Sequence, residues 1–181
     1  MPVTERTYLQ LALEDPNQWE LHCGHLRRKP AMTAEHNYVG FELAFRLREQ
    51  LDTSRYHVRN NSGHLRRTSE NYYIPGVLVI PTELVRPLLD RSDVLEAYDA
   101  PLPLVVEVWS PSTGDFDVDA KLPEYQRRGD LEIWRIHPFD RTLTAWRRQP
   151  DGSYTETLYT GGEVQPTSLP GVTIDLDALF D

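Results

Sequence analysis

The chain alternates between stretches with helical spacing of apolar residues and stretches dense in β-branched and aromatic residues, and this alternation predicts its elements. Thr4 to Glu14 reads as a helix capped by Thr4, with Tyr8, Leu11 and Leu13 at its apolar positions, broken by Asp15-Pro16-Asn17. Gln18–Leu21 and Leu26–Arg28 read as two short strands around Cys23-Gly24. Thr33 can cap a long helix reaching Leu51, in which Tyr38, Phe41, Phe45, Leu47 and Leu51 form the apolar set and Glu42, Arg46, Arg48 and Glu49 face water.

Beyond it the pattern predicts a strand at Arg55–Arg59, a turn at Asn60-Asn61-Ser62-Gly63, and one extended run from Tyr72 to Ile80 that Pro81 ends. Pro87–Ala100 reads as a short helix and a loop, and Leu104–Trp109 as a dense strand with one carboxylate inside it. After a loop at Ser110–Gly114, Pro123 must lie near a helix start, which places that start at Asp117 to Asp119; Gly129 closes the helix after Arg128. Leu131–His137, Leu143–Arg148 and Tyr154–Leu158 complete the series, the last two joined by Gln149-Pro150-Asp151-Gly152. This order predicts a mixed α/β fold with a central mixed sheet flanked by helices and added hairpins, and 181 residues fit one domain, 1–181.

Composition narrows the function. A net charge of -9 argues against wrapping nucleic acid or anionic membrane by charge alone. The charge is uneven: His25 to Arg67 holds nine basic residues against four acidic, whereas Thr82 to Glu132 holds five against twelve. A phosphate backbone would therefore be met locally, at the basic lobe. No apolar stretch is long enough for a membrane span and no signal peptide is evident, so a cytoplasmic protein is expected. Cys23 is the sole cysteine, which excludes an internal disulfide; as a nucleophile it would need a base, and strand geometry would turn the flanking His22 and His25 away from it.

Two features bear on chemistry. Glu107 lies in an otherwise apolar strand, where a carboxylate is costly to bury unless it is paired or binds a metal; it either meets an arginine or water, or it holds a hard cation such as Mg²⁺. Only two of the basic residues are lysines, Lys29 and Lys121, the rest being arginine. Lys121, expected in the first helical turn after the loop, could swing over the end of the Glu107 strand to orient a water or offset developing charge, or could be a solvated surface lysine. Asp115, Asp117 and Asp119 read as helix-entry residues complementing the dipole. Glu20 and His36 could face the same cleft.

The order Trp19-Glu20, Gly24, Ala34-Glu35-His36, Tyr73-Ile74-Pro75-Gly76-Val77, Leu104 to Thr113, Asp117, Lys121, Tyr125 and Glu132-Ile133-Trp134 resembles the Uma-type restriction endonuclease family, a branch of the PD-(D/E)XK nuclease superfamily. The resemblance implies a restriction-endonuclease-like fold and hydrolysis of DNA phosphodiesters dependent on Mg²⁺ or another divalent metal such as Mn²⁺, with a homodimer as a further expectation. It implies Glu107 and Glu20 as catalytic and metal-binding residues, Lys121 as the catalytic lysine supplied from the following helix, and His36, Asp117 and Tyr125 as supporting residues. Gly76 stands where it implies a metal-binding aspartate, so the implied metal site is degenerate. Cys23 and His137 also replace aspartates of the pattern. The alternative is a catalytically inactive nuclease fold that binds nucleic acid or protein.

Overall fold

The computed structural model describes residues 2–181. Helix α1 (Glu5–Glu14) starts where the Thr4 hydroxyl accepts the Thr7 amide, and it buries Tyr8. Strands β1 (Trp19–His22) and β2 (His25–Arg28) form a hairpin. Its turn puts Cys23 at φ 49°, and there, contrary to the strand-based expectation, His22 Nε2 comes within 3.8 Å of the thiol.

Helix α2 (Ala34–Gln50) is capped by Thr33 as expected, but its buried face is different. His36, Val39, Gly40, Leu43, Ala44 and Leu47 point inward, while Tyr38, Phe41 and Phe45 are 48, 59 and 50% exposed. Both sets recur at helical spacing on opposite sides of the helix, and residue size drew the prediction to the aromatic one. The smaller set packs because Gly40 brings the helix within reach of Val108 and Asn60.

The predicted Tyr72–Ile80 run is two strands in two sheets. β3 (Tyr56–Asn60) is followed by β4 (His64–Thr68), which the pattern did not predict, then by β5 (Asn71–Tyr73) and β6 (Val77–Pro81). Ile74-Pro75-Gly76 carries the chain from one sheet to the other. Past α3 (Thr82–Val85), a 3₁₀ turn (Arg86–Leu88) and the short β7 (Ala97–Tyr98) comes β8 (Leu104–Val108), buried throughout.

The helix after β8 begins earlier than predicted, at α4 (Gly114–Phe116). A π turn (Asp117–Lys121) follows, then α5 (Leu122–Arg128), closed by Gly129 at φ 82°. Pro123 sits inside this stretch, tolerated beside a widened turn in which the Leu122 amide reaches back to the Asp117 carbonyl. β9 (Glu132–His137), β10 (Thr142–Arg148) and β11 (Tyr154–Tyr159) lie as predicted. The tail, to which the pattern assigned no element, adds β12 (Glu163–Val164), β13 (Ile174–Asp175) and α6 (Leu176–Phe180).

One sheet has the order β2-β1-β5-β4-β7 and a second β11-β10-β9-β8-β6-β3; β12 pairs with β13. β8 and β9 are parallel and joined by the 114–128 helical stretch, while β6 lies antiparallel on the other side of β8. The architecture is mixed α/β with mixed sheets flanked by helices. One core joins α2 and the tail to Val106, Val108, Trp134 and Ile136; the opposite sheet face carries Val105 and Ile133 against Tyr125. Strand alternation then sets Glu107 on the same face as Tyr125, across from Arg135 in register.

Candidate active site

Glu107 is 7% exposed, so it lies on no solvated face, and its partners are a lysine and a tyrosine rather than an arginine. Tyr125 of α5 donates to Glu107 Oε1 at 2.5 Å, and Lys121 Nζ approaches the same oxygen at 3.3 Å. Lys121 is no solvated lysine. It is 3% exposed, and its ammonium also contacts Glu20 Oε1 at 2.7 Å and Asp117 Oδ1 at 3.5 Å. The π turn matters here because it turns Asp117 and Lys121 inward together, so Asp117 is a buried carboxylate and not the helix cap expected from its position. Thr113 donates to Asp117 Oδ2, whereas Asp117 Oδ1 is buried and accepts no hydrogen bond.

Glu20 reaches the cluster from β1. Its Oε1 accepts the Ile74 amide at 2.8 Å, which ties the hairpin to the segment crossing between sheets. His36 projects from the first turn of α2 into the lining of the same small cavity, about 10 Å³, that Glu20, Glu107, Asp117 and Lys121 border. The structure thus brings together Glu20, His36, Glu107, Asp117, Lys121 and, beneath Glu107, Tyr125.

Gly76 adds no side chain to this group. A Cβ there would stand 3.3 Å from the Val106 carbonyl oxygen and 3.5 Å from the Val108 amide, so the crossing segment lies tight against β8. Sequence reasoning missed Lys29, whose side chain runs from the end of β2 into the cavity lining and donates to Asn61 Oδ1 at 3.1 Å and to the Ile74 carbonyl at 2.9 Å. The only signal was its rarity: both lysines of the chain end at one cavity.

These groups perturb one another. Burial raises the Asp117 carboxyl to about 7, helped by the neighbouring Glu107 charge. Burial also works against ionised Glu20, but the Lys121 and Lys29 charges outweigh it and hold that carboxyl below its ordinary value. Burial opposes the Lys121 ammonium too, and Glu107, Glu20 and Asp117 together more than reverse this, raising its pKa. Lys29 and His36 are both shifted downward, chiefly by burial.

The donor set suits a hard cation in one mode only. Among the described residues no three His, Cys, Asp or Glu side chains converge to cage a metal. Mg²⁺ at phosphoryl centres needs only one or two carboxylates, water and phosphate completing its shell, and Glu107, Glu20 and the Asp117 oxygen that accepts no hydrogen bond meet that requirement.

Part of the expected basic lobe is neutralised. Arg46, Arg59, Arg66 and Arg67 pair with Glu42, Glu96, Glu5 and Glu124, and Arg66 also with Asp99. Arg27 stacks over the Phe116 ring at 3.3 Å. No helix among the described residues is long and apolar enough to cross a membrane.

The family model of Uma2, described as "Putative restriction endonuclease", matches residues 6–177. Among solved structures, a "putative nuclease belonging to DUF820" from Anabaena variabilis is similar with a TM-score of 0.79 over 99% of this chain and 98% of that one, at 16% sequence identity. Comparison with curated proteins found no match.

Proposed function

The chain belongs to the Uma2 restriction endonuclease family, and on that premise we propose that it hydrolyses DNA phosphodiester bonds with a divalent cation, acting as one domain over residues 1–181 in the cytoplasm. The observation that carries this reading is the convergence of Glu20, Glu107 and Asp117 on the Lys121 ammonium, at 2.7, 3.3 and 3.5 Å. Mg²⁺ or Mn²⁺ held by Glu107 and Glu20 would offset the negative charge that builds on the phosphate during attack. Lys121 does not act as the base, since three carboxylates keep it protonated; it donates hydrogen bonds to the attacking water or to the phosphoryl oxygens. Tyr125 fixes the Glu107 carboxylate, leaving its orientation set before substrate arrives. His36, kept neutral by burial, lines the cavity as a polar wall beside the carboxylates. Arg28, Arg48 and Arg55, which have no ion pair among the described residues, are the basic-lobe groups left to meet the DNA backbone.

A second reading, an inactive fold that binds nucleic acid or protein, is favoured by two observations. Gly76 provides no carboxylate, and a cavity of about 10 Å³ admits a single water or a small ion but no phosphate until the surrounding turns draw back. Plasmid cleavage with Mg²⁺ and with Mn²⁺ separates the readings. The native protein is expected to nick DNA, Gly76→Asp to cleave faster, and Lys121→Ala to fall on the order of 10²-fold. Absence of cleavage by both the native and a correctly folded Gly76→Asp protein, with DNA binding indifferent to EDTA, would establish the inactive module.

A further inference from the structure

We infer that Lys29 is a built-in counter-cation that holds down the affinity of this site for a divalent metal. The inference rests on the proposed nuclease reading, and it starts from the contrast between the two lysines. Lys121 touches three carboxylates. Lys29 touches none within ion-pair distance among the described residues; its ammonium is held by two neutral acceptors, the Asn61 side-chain oxygen and the Ile74 carbonyl.

A buried ammonium with only neutral partners is costly unless a surrounding field of negative charge supports it. Glu20, Glu107 and Asp117, which border the same cavity, supply that field. With Glu20 and Glu107 ionised and Asp117 only partly so, the carboxylates barely exceed the two ammoniums in charge, so a divalent cation adds two positive charges to a cluster that is already close to neutral. Ile74 is clamped from both sides, its amide given to Glu20 and its carbonyl receiving Lys29. This clamp keeps the Lys29 charge stationary beside the carboxylates, so a metal must enter against it. Lys29 is therefore a positioning and tuning residue that acts on the metal through the field.

Isothermal titration with Mn²⁺ at pH 7 on the full chain tests this without reference to cleavage. Lys29→Met is expected to bind Mn²⁺ roughly tenfold tighter than the native protein, as expected for removing one nearby unit charge. Lys29→Arg, which keeps the charge, is expected to stay within about twofold of native. Adding Glu107→Gln to Lys29→Met should abolish the gain and so locate it. Lys29→Gln, neutral yet able to donate to the Ile74 carbonyl, serves if the methionine variant does not fold. Equal or weaker Mn²⁺ binding by a folded neutral variant, or no binding by any folded variant, overturns the inference. A tenfold gain without DNA cleavage by any form sinks the nuclease reading alone, and cleavage without the gain sinks this inference alone.

Discussion

Two of the buried ionic clusters, around Arg128 and around Lys121, differ in whether every polar atom is used. Around Arg128 none is spare: Nε donates to Asp130 Oδ2 at 3.0 Å, Nη2 donates to the Ala100 carbonyl and to Asp130 Oδ1, and Nη1 donates to the carbonyls of Tyr98 and Arg66. Asp130 Oδ1 also accepts the Leu102 amide at 2.8 Å. Around Lys121, three carboxylates share one ammonium, Asp117 Oδ1 has no hydrogen-bond partner, and a small cavity remains. A saturated cluster can only lock strands and loops together. One with surplus oxygens and a cavity can take up a ligand.

The strongest way to break this comparison is to delete each cation. Arg128→Met strands Asp130 and three carbonyl acceptors and is expected to cost about 3–5 kcal/mol in urea unfolding at pH 7. Lys121→Met also destabilises at pH 7, but its deficit relative to the native protein should shrink between pH 7 and pH 5, because the unpaired carboxylates can take up protons in the folded state. Arg128→Met frees Asp130 to protonate as well, but it also leaves three carbonyl acceptors that cannot, so its deficit should shrink less; equal recovery of the two variants would show that the clusters do not differ in kind.

Acid sharpens the comparison from outside both clusters. Burial lowers His64 to about 4, and its Nδ1 lies 3.2 Å from the Glu96 carbonyl. The folded state therefore resists protonation that the unfolded chain accepts near 6.5. The stability from neutral His64 is present above pH 6.5 and is lost as pH falls through about 4, on the order of 3 kcal/mol. His64→Gln should flatten that part of the stability profile; an unchanged profile would place acid sensitivity elsewhere.

The smallest effect is expected on the outer face of α2. Phe41→Gln should shift stability by no more than about 0.5 kcal/mol, whereas Leu43→Ala, two residues on and fully buried, should cost about 2–5 kcal/mol in the same unfolding measurement. Similar costs would mean that the aromatic face is covered.

Much of the candidate site was legible in the sequence because a carboxylate inside an apolar strand and a lysine in an arginine-rich chain both break their local pattern. Glu107 and Lys121 were found on those grounds, Glu20 and His36 were read as able to face the same cleft, and the family resemblance added Asp117 and Tyr125. Lys29 was not found, since nothing local distinguishes a lysine at a hairpin end that faces solvent from one that turns inward. Asp117 read locally as a helix-entry residue complementing the dipole, because nothing in the local pattern announces the π turn that rotates it inward. β4 was missed because His64 to Thr68 is too polar to read as a strand, and it is held there by pairing with β5 and β7.

The sequence alone determined most elements, through caps such as Thr4 and Thr33, breakers such as Pro16 and Gly129, and apolar periodicity, because these act through the local backbone. It also determined the alternating mixed α/β order and which residue types could do chemistry. Only the tertiary structure decided which face of α2 is buried, where the Tyr72–Ile80 run divides between sheets, and that both lysines border one cavity with three carboxylates. Those outcomes depend on shape complementarity and on charges brought together from distant segments, and the free energy of such contacts exists only once the segments have met.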